Sequence, residues 1–125
     1  MDRLFVMLAA LVMFLGVGAG AFGAHGLSAH FAKFPQLEAT YATAVRYHLI
    51  HGLALFGVGL AAVRWPGPWL QWSGYLLLAG IIIFSGSLYL LSLTGARWLG
   101  AITPLGGVAF LAGWLCLFVA VWRGA

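Results

Sequence analysis

The sequence predicts an all-α fold: a polytopic membrane protein whose four transmembrane helices form a bundle. Three observations predict it. Four long apolar runs, Leu4–Ala24, about Arg46–Val63, Trp72–Leu93 and about Thr103–Trp122, fill most of the chain. Each is near the roughly 20 residues that a helix rising 1.5 Å per residue needs to cross a hydrocarbon core about 30 Å thick. Only 6% of the 125 residues are charged and 64% are hydrophobic, with a mean hydropathy of +1.06. A soluble domain carries about 25% charged residues. Finally, the six cations, Arg3, Lys33, Arg46, Arg64, Arg97 and Arg123, stand singly near the ends of the runs, where they reach headgroups. In hydrocarbon a backbone must satisfy its own hydrogen bonds, so the runs are helices.

The net charge of +4 and pI near 9.9 do not indicate a nucleic-acid binder, which clusters Lys and Arg on one soluble face. The single cysteine, Cys116, lies inside the fourth run and reads as a small hydrophobe.

Taken in order, helix 1 is expected over about 4–24. Its start imitates a secretory signal, with Ala19-Gly20-Ala21 resembling a cleavage site. The apolar stretch continues to Ala24, long enough to span, so it reads as the first transmembrane helix. Gly26 is expected to take the left-handed conformation that stops the helix. Gly16, Gly20 and Gly23 give helix 1 a small-residue face for close backbone approach, and Gly106 does so in helix 4.

Ser28 is expected to cap a short interfacial helix between helices 1 and 2, reaching Phe34. Pro35 suits the first turn of the next helix, and helix 2 is expected over about 36–64. The turn Arg64-Trp65-Pro66-Gly67-Pro68-Trp69 ends it, and Trp65, Trp69 and Trp72 form an aromatic belt. Helix 3 is expected over about 72–93, with Ser85-Gly86-Ser87 in its second half. Thr103 looks like an N-cap with Pro104 at the first helical position, giving helix 4 over about 103–122. A start at Leu99 with a kink at Pro104 is the competing reading. The whole of 1–125 is one four-span domain. Both termini then lie on one side, and the scatter of Lys and Arg leans toward the inside for them.

Polar groups within a membrane are costly, so each is a functional candidate. The candidate layer is His25, His30, Glu38, Arg46, Tyr47, His48, His51, Ser85 and Thr103, with Tyr41, Ser87 and Tyr89 as weaker members. His48 and His51 are three apart, and Tyr47 and His51 four apart, so they share a helix face. The plainer reading is that the imidazoles hydrogen-bond neighbouring carbonyls or each other and tie the bundle together. A sharper one makes His25, His48, His51 and Glu38 zinc ligands, or His25 with His48 or His51 axial ligands to haem. Glu38 stands two turns from Arg46, too far to pair within the helix, and no nucleophile motif marks Ser28 or Ser85. No catalytic residue, metal or cofactor is assigned.

Gly20-Ala21-Phe22-Gly23-Ala24-His25-Gly26-Leu27, Tyr47-His48-x-x-His51-x-Leu53-Ala54-Leu55, Phe84-Ser85-Gly86-Ser87-Leu88-Tyr89 and Ile102-Thr103-Pro104-Leu105-Gly106-Gly107 occur in this order. Together they resemble the YgdD-like family of small four-helix inner-membrane proteins, a domain of unknown function. The resemblance implies a multi-pass protein of the bacterial inner (plasma) membrane and supplies no activity or catalytic residue. The expectation is a small integral membrane protein, leaning away from enzyme, that works as a scaffold, accessory or lipid-interacting bundle with a structural His-rich layer. Its partners would be membrane lipids, a second copy in a homo-oligomer or another membrane protein, and no nucleic acid. The alternatives are proton, ion or small-solute transport, or a His-ligated haem or metal redox protein.

Overall fold

A computed structural model describes residues 2–124. Helix α1 (Asp2–His25) crosses to the far side and passes into the short α2 (Ser28–Lys33). A 3₁₀ turn at Pro35–Leu37 leads into α3 (Glu38–Arg64), which returns. Helix α4 (Pro68–Gly80), a five-residue π-helical segment (Ile81–Ser85) and α5 (Gly86–Thr94) form the third crossing. After a 3₁₀ turn at Arg97–Ala101, α6 (Thr103–Arg123) returns. Four continuous helical stretches, Arg3–His25, Pro35–Arg64, Pro68–Thr94 and Arg97–Arg123, are long and apolar enough to cross a membrane.

Unlike a soluble bundle, the molecule is apolar on its outer surface and also buries hydroxyls. Phe14, Val63, Leu111, Leu115 and Phe118 are largely exposed, whereas Ser73, Ser85 and Ser92 are fully buried. Lipid is as apolar as leucine, so burying apolar surface does not drive these helices together. Close packing and interhelical hydrogen bonds do. Helix α1 packs mainly along α3, and α4 mainly along α6. The apolar core, including Phe5, Leu55, Leu77 and Phe110, lies between the two pairs.

Glycines admit the large rings. Gly74 lies under the Phe5 ring and Gly80 under the Phe110 ring. Gly106 sits against the backbone of Phe84, which a side chain could not displace.

Several local expectations are corrected. Gly26 is not left-handed: the positive-φ glycines among the described residues are Gly67 and Gly95. Instead, Gly26 N–H and Leu27 N–H both donate to the Phe22 carbonyl, at 2.6 and 3.1 Å, so α1 runs almost directly into α2. Ser28 is not an N-cap acceptor but the first helical residue, and its hydroxyl donates to the His25 carbonyl at 3.1 Å. The third span begins at Pro68 rather than Trp72, because Gly67 at φ 143 turns the chain and proline needs no N–H partner at a helix start. Thr103 does not cap α6: it is the first residue of that helix, and its hydroxyl lies 2.6 Å from the Ser87 hydroxyl and 3.3 Å from the Leu99 carbonyl.

Candidate functional site

Of the predicted layer, only part converges in the interior. His48 and His51 are 7% and 5% exposed, and Ser85 is 1% exposed. His25, Glu38 and Arg46 are on the outside. Tyr47 is partly exposed, and His30 and Thr103 are half-buried.

His48 and His51 do not act as a pair. One residue advances a helix by about 100°, so two residues three apart diverge by about 60°, enough to meet different neighbours. His48 lies between α1 and α5. Its Nε2 donates to the Val12 carbonyl at 2.8 Å, and with the ring neutral its Nδ1 accepts from the Tyr89 hydroxyl at 2.8 Å. His51 faces α6. Its Nδ1 donates to the Tyr47 carbonyl at 2.9 Å, and its Nε2 accepts from Trp114 Nε1 at 3.1 Å. The His51 ring also stacks on Phe110, with centroids 3.6 Å apart, and Tyr47 packs on Phe84 at 4.6 Å.

The α1–α3 contact repeats one device. The carbonyl of residue i on α1 accepts a second hydrogen bond from a ring on α3, and glycine at i+4 leaves space for that ring. His48 reaches Val12 across Gly16, and the Tyr41 hydroxyl reaches Ala19 across Gly23. A Cβ on Gly16 would stand 3.1 Å from the His48 ring and 2.7 Å from Leu49 Cδ2. Gly16 and Gly23 are one heptad apart, as are Tyr41 and His48, so antiparallel helices meet the pattern twice. Gly20, between them, faces Val45 on the same helix. The small-residue face of α1 is therefore occupied by α3 of the same chain.

The π-helical segment sets the other side of this layer. A π turn adds a residue to the helical circuit and shifts the register of the next turns. At its end the Ser85 hydroxyl donates to the Ala44 carbonyl of α3 at 2.8 Å. Ser87 donates to the Phe84 carbonyl at 2.9 Å and accepts from the Thr103 hydroxyl at 2.6 Å, joining α5 to the start of α6. Ser73 donates to the Gly113 carbonyl at 2.8 Å, joining α4 to α6. His30 Nε2 donates to the Ser92 carbonyl at 2.8 Å and fastens α2 to α5.

This arrangement limits the chemistry. Both ring nitrogens of His48 and of His51 are used by the protein itself. Among the described residues, no three of His, Cys, Asp or Glu gather closely enough to share a metal ion. The zinc set of His25, His48, His51 and Glu38 is therefore not brought together: His25 and Glu38 are exposed, while the two buried imidazoles face different helices. Among the described residues, every fully buried side-chain nitrogen and oxygen has a hydrogen-bond partner.

Ser73, Ser92 and Trp114 escaped the sequence reading, and Tyr41 and Tyr89 ranked too low in it. The available signal was the matched heptad spacing of Gly16/Gly23 and Tyr41/His48. Serine and tryptophan in an apolar run carry no such mark.

These features define a four-span helical membrane protein held together by a closed polar layer. The chain belongs to the family described as protein of unknown function (DUF423), which matches residues 19–107. It is 47% identical over 120 residues to the UPF0382 membrane protein YwdK of Bacillus subtilis, covering 94% of this chain and 95% of that protein. It is 43% identical over 121 residues to the UPF0382 membrane protein SH2409 of Staphylococcus haemolyticus, covering 97% of each. No solved structure matches. The reading of an integral membrane protein from a family of unknown function thus holds.

Proposed function

We propose that this protein is a non-enzymatic bundle of the bacterial inner membrane that works through its outer surface, as a scaffold, accessory subunit or lipid-interacting protein. The carrying observation is the closure of the interior. The His48, His51 and Ser85 side chains all hydrogen-bond within the chain, mostly to carbonyls of other turns and helices. Groups so committed hold helices in register, and they leave no free nitrogen for a ligand. Bacillus and Staphylococcus relatives support the bacterial membrane assignment. The partners are lipids, a second copy or another membrane protein, met on the exposed apolar faces.

The test pairs stability with flux. His48→Phe is expected to lower the unfolding midpoint in detergent. Liposomes holding the native protein should conduct protons no faster than empty ones. Proton flux that His48→Phe abolished in a folded variant would overturn the proposal.

A further inference from the structure

The side opposite the termini carries a feature independent of the histidine layer. A half-open cavity of about 700 Å³ lies between α2 with its following 3₁₀ turn and the end of α5. That volume falls in the range of small-ligand sites. Phe34, Leu37, Leu91 and Leu93 supply an apolar wall, and Gln36 and Arg97 supply polar groups. The cavity lies at one end of the bundle, beside the α1–α3 and α5–α6 connections, and the exposed Trp98 of the second connection suits the membrane–water boundary.

The walls are fixed in place. The His30–Ser92 hydrogen bond spans them. Gly95, at φ 74, ends α5 with its N–H donating to the Leu91 carbonyl at 2.7 Å. Charge is one-sided. Arg97 is exposed and makes no ion pair among the described residues. Lys33, just before Phe34, holds its Nζ 5.6 Å from that ring's centroid. No acidic residue lines the cavity, and Glu38 belongs instead to a separate groove with Gly23 and Tyr41.

We propose that this cavity binds the headgroup of an anionic glycerophospholipid, with the phosphate ester on Arg97 and the first acyl carbons on the leucine and phenylalanine wall. A guanidinium holds phosphate oxygens through paired N–H donors. A soluble phosphate ester offers the same oxygens but leaves the apolar wall uncovered. The inference rests on the lipid-interacting form of the proposed function and gives it a site and a ligand class.

Native mass spectrometry tests it on the full chain, with phosphatidylglycerol or phosphatidylcholine added to the detergent. The native protein should retain one phosphatidylglycerol in preference to phosphatidylcholine. Arg97→Gln should reduce that retention roughly tenfold, as loss of a charge-assisted hydrogen bond does. Arg97→Lys should restore part of it, and Arg123→Gln, at the other membrane face, should leave it unchanged. Equal retention by Arg97→Gln and the native chain, or equal retention of the two lipids, overturns the site. Displacement of the lipid by millimolar glycerol phosphate overturns the lipid in favour of a soluble ester. None of these failures bears on the flux test, and proton flux would not remove a bound lipid, so the two proposals fail separately.

Discussion

Trp114 Nε1 donates to His51 Nε2 at 3.1 Å across the α3–α6 contact, and that single bond sets the state of the imidazole. An indole N–H can only donate, so Nε2 must be the acceptor and the proton must sit on Nδ1, which donates to the Tyr47 carbonyl. His48 has the reverse arrangement, because its Nε2 meets a carbonyl and its Nδ1 meets a hydroxyl. With both rings neutral, the two histidines three residues apart hold opposite tautomers.

Nitrogen-15 NMR of labelled imidazoles checks this directly. The His51 ring is expected to carry its proton at Nδ1 alone, and the His48 ring to carry one at Nε2. Trp114→Phe should return the His51 signal toward a mixture of tautomers while leaving His48 unchanged. Identical tautomers in the native protein would contradict the arrangement.

Gly16 and Gly18 lie two residues apart on α1 and differ in everything that surrounds them. A Cβ at Gly16 meets Leu49 and His48, whereas one at Gly18 meets nothing within 4 Å. Gly16→Ala should destabilise the bundle by about 1–3 kcal/mol, the usual cost of overpacking. Gly18→Ala should be neutral or stabilise by up to about 1 kcal/mol through helix propensity. Unfolding midpoints in a mild detergent titrated with a denaturing one measure the contrast.

Gly106→Ala should be more damaging than Gly16→Ala. Its Cβ would strike the backbone of Phe84 at the π-helical segment, which cannot rotate away as a side chain can. Gly57→Ala, where no atom lies within 4 Å, is the matched control. A Gly106→Ala protein that unfolded at the native midpoint would contradict so close an approach of α6 to Phe84.

His48 and Tyr89 should be energetically coupled. Tyr89→Phe removes the hydroxyl that Nδ1 accepts from, at a cost of about 0.6 kcal/mol and at most about 1.7, the range for side-chain hydrogen bonds inside membranes. In a double-mutant cycle with His48→Phe, the Tyr89→Phe effect should largely disappear. Tyr41→Phe, whose hydroxyl serves Ala19 instead, should add independently.

The four spans and the short helix between the first two were legible in the sequence alone. Solvent imposes them: a run of about 20 apolar residues has one stable state in hydrocarbon, whatever it packs against. The chemical candidates were legible for the same reason, since a histidine or serine among leucines is conspicuous. Which of them meet was not legible. Helical periodicity puts Tyr47, His48 and His51 on neighbouring faces of α3, but only the positions of α1, α5 and α6 decide that His48 turns to Val12 and Tyr89 while His51 turns to Trp114. The glycines of α1 likewise promised a close approach without naming the partner, and the tertiary structure makes that partner α3 of the same chain. The π-helical segment and the reversed role of Ser28 depend on where carbonyls fall once helices are docked. Period and composition are local properties of a chain, whereas a hydrogen bond between residues 51 and 114 is a property of their packing.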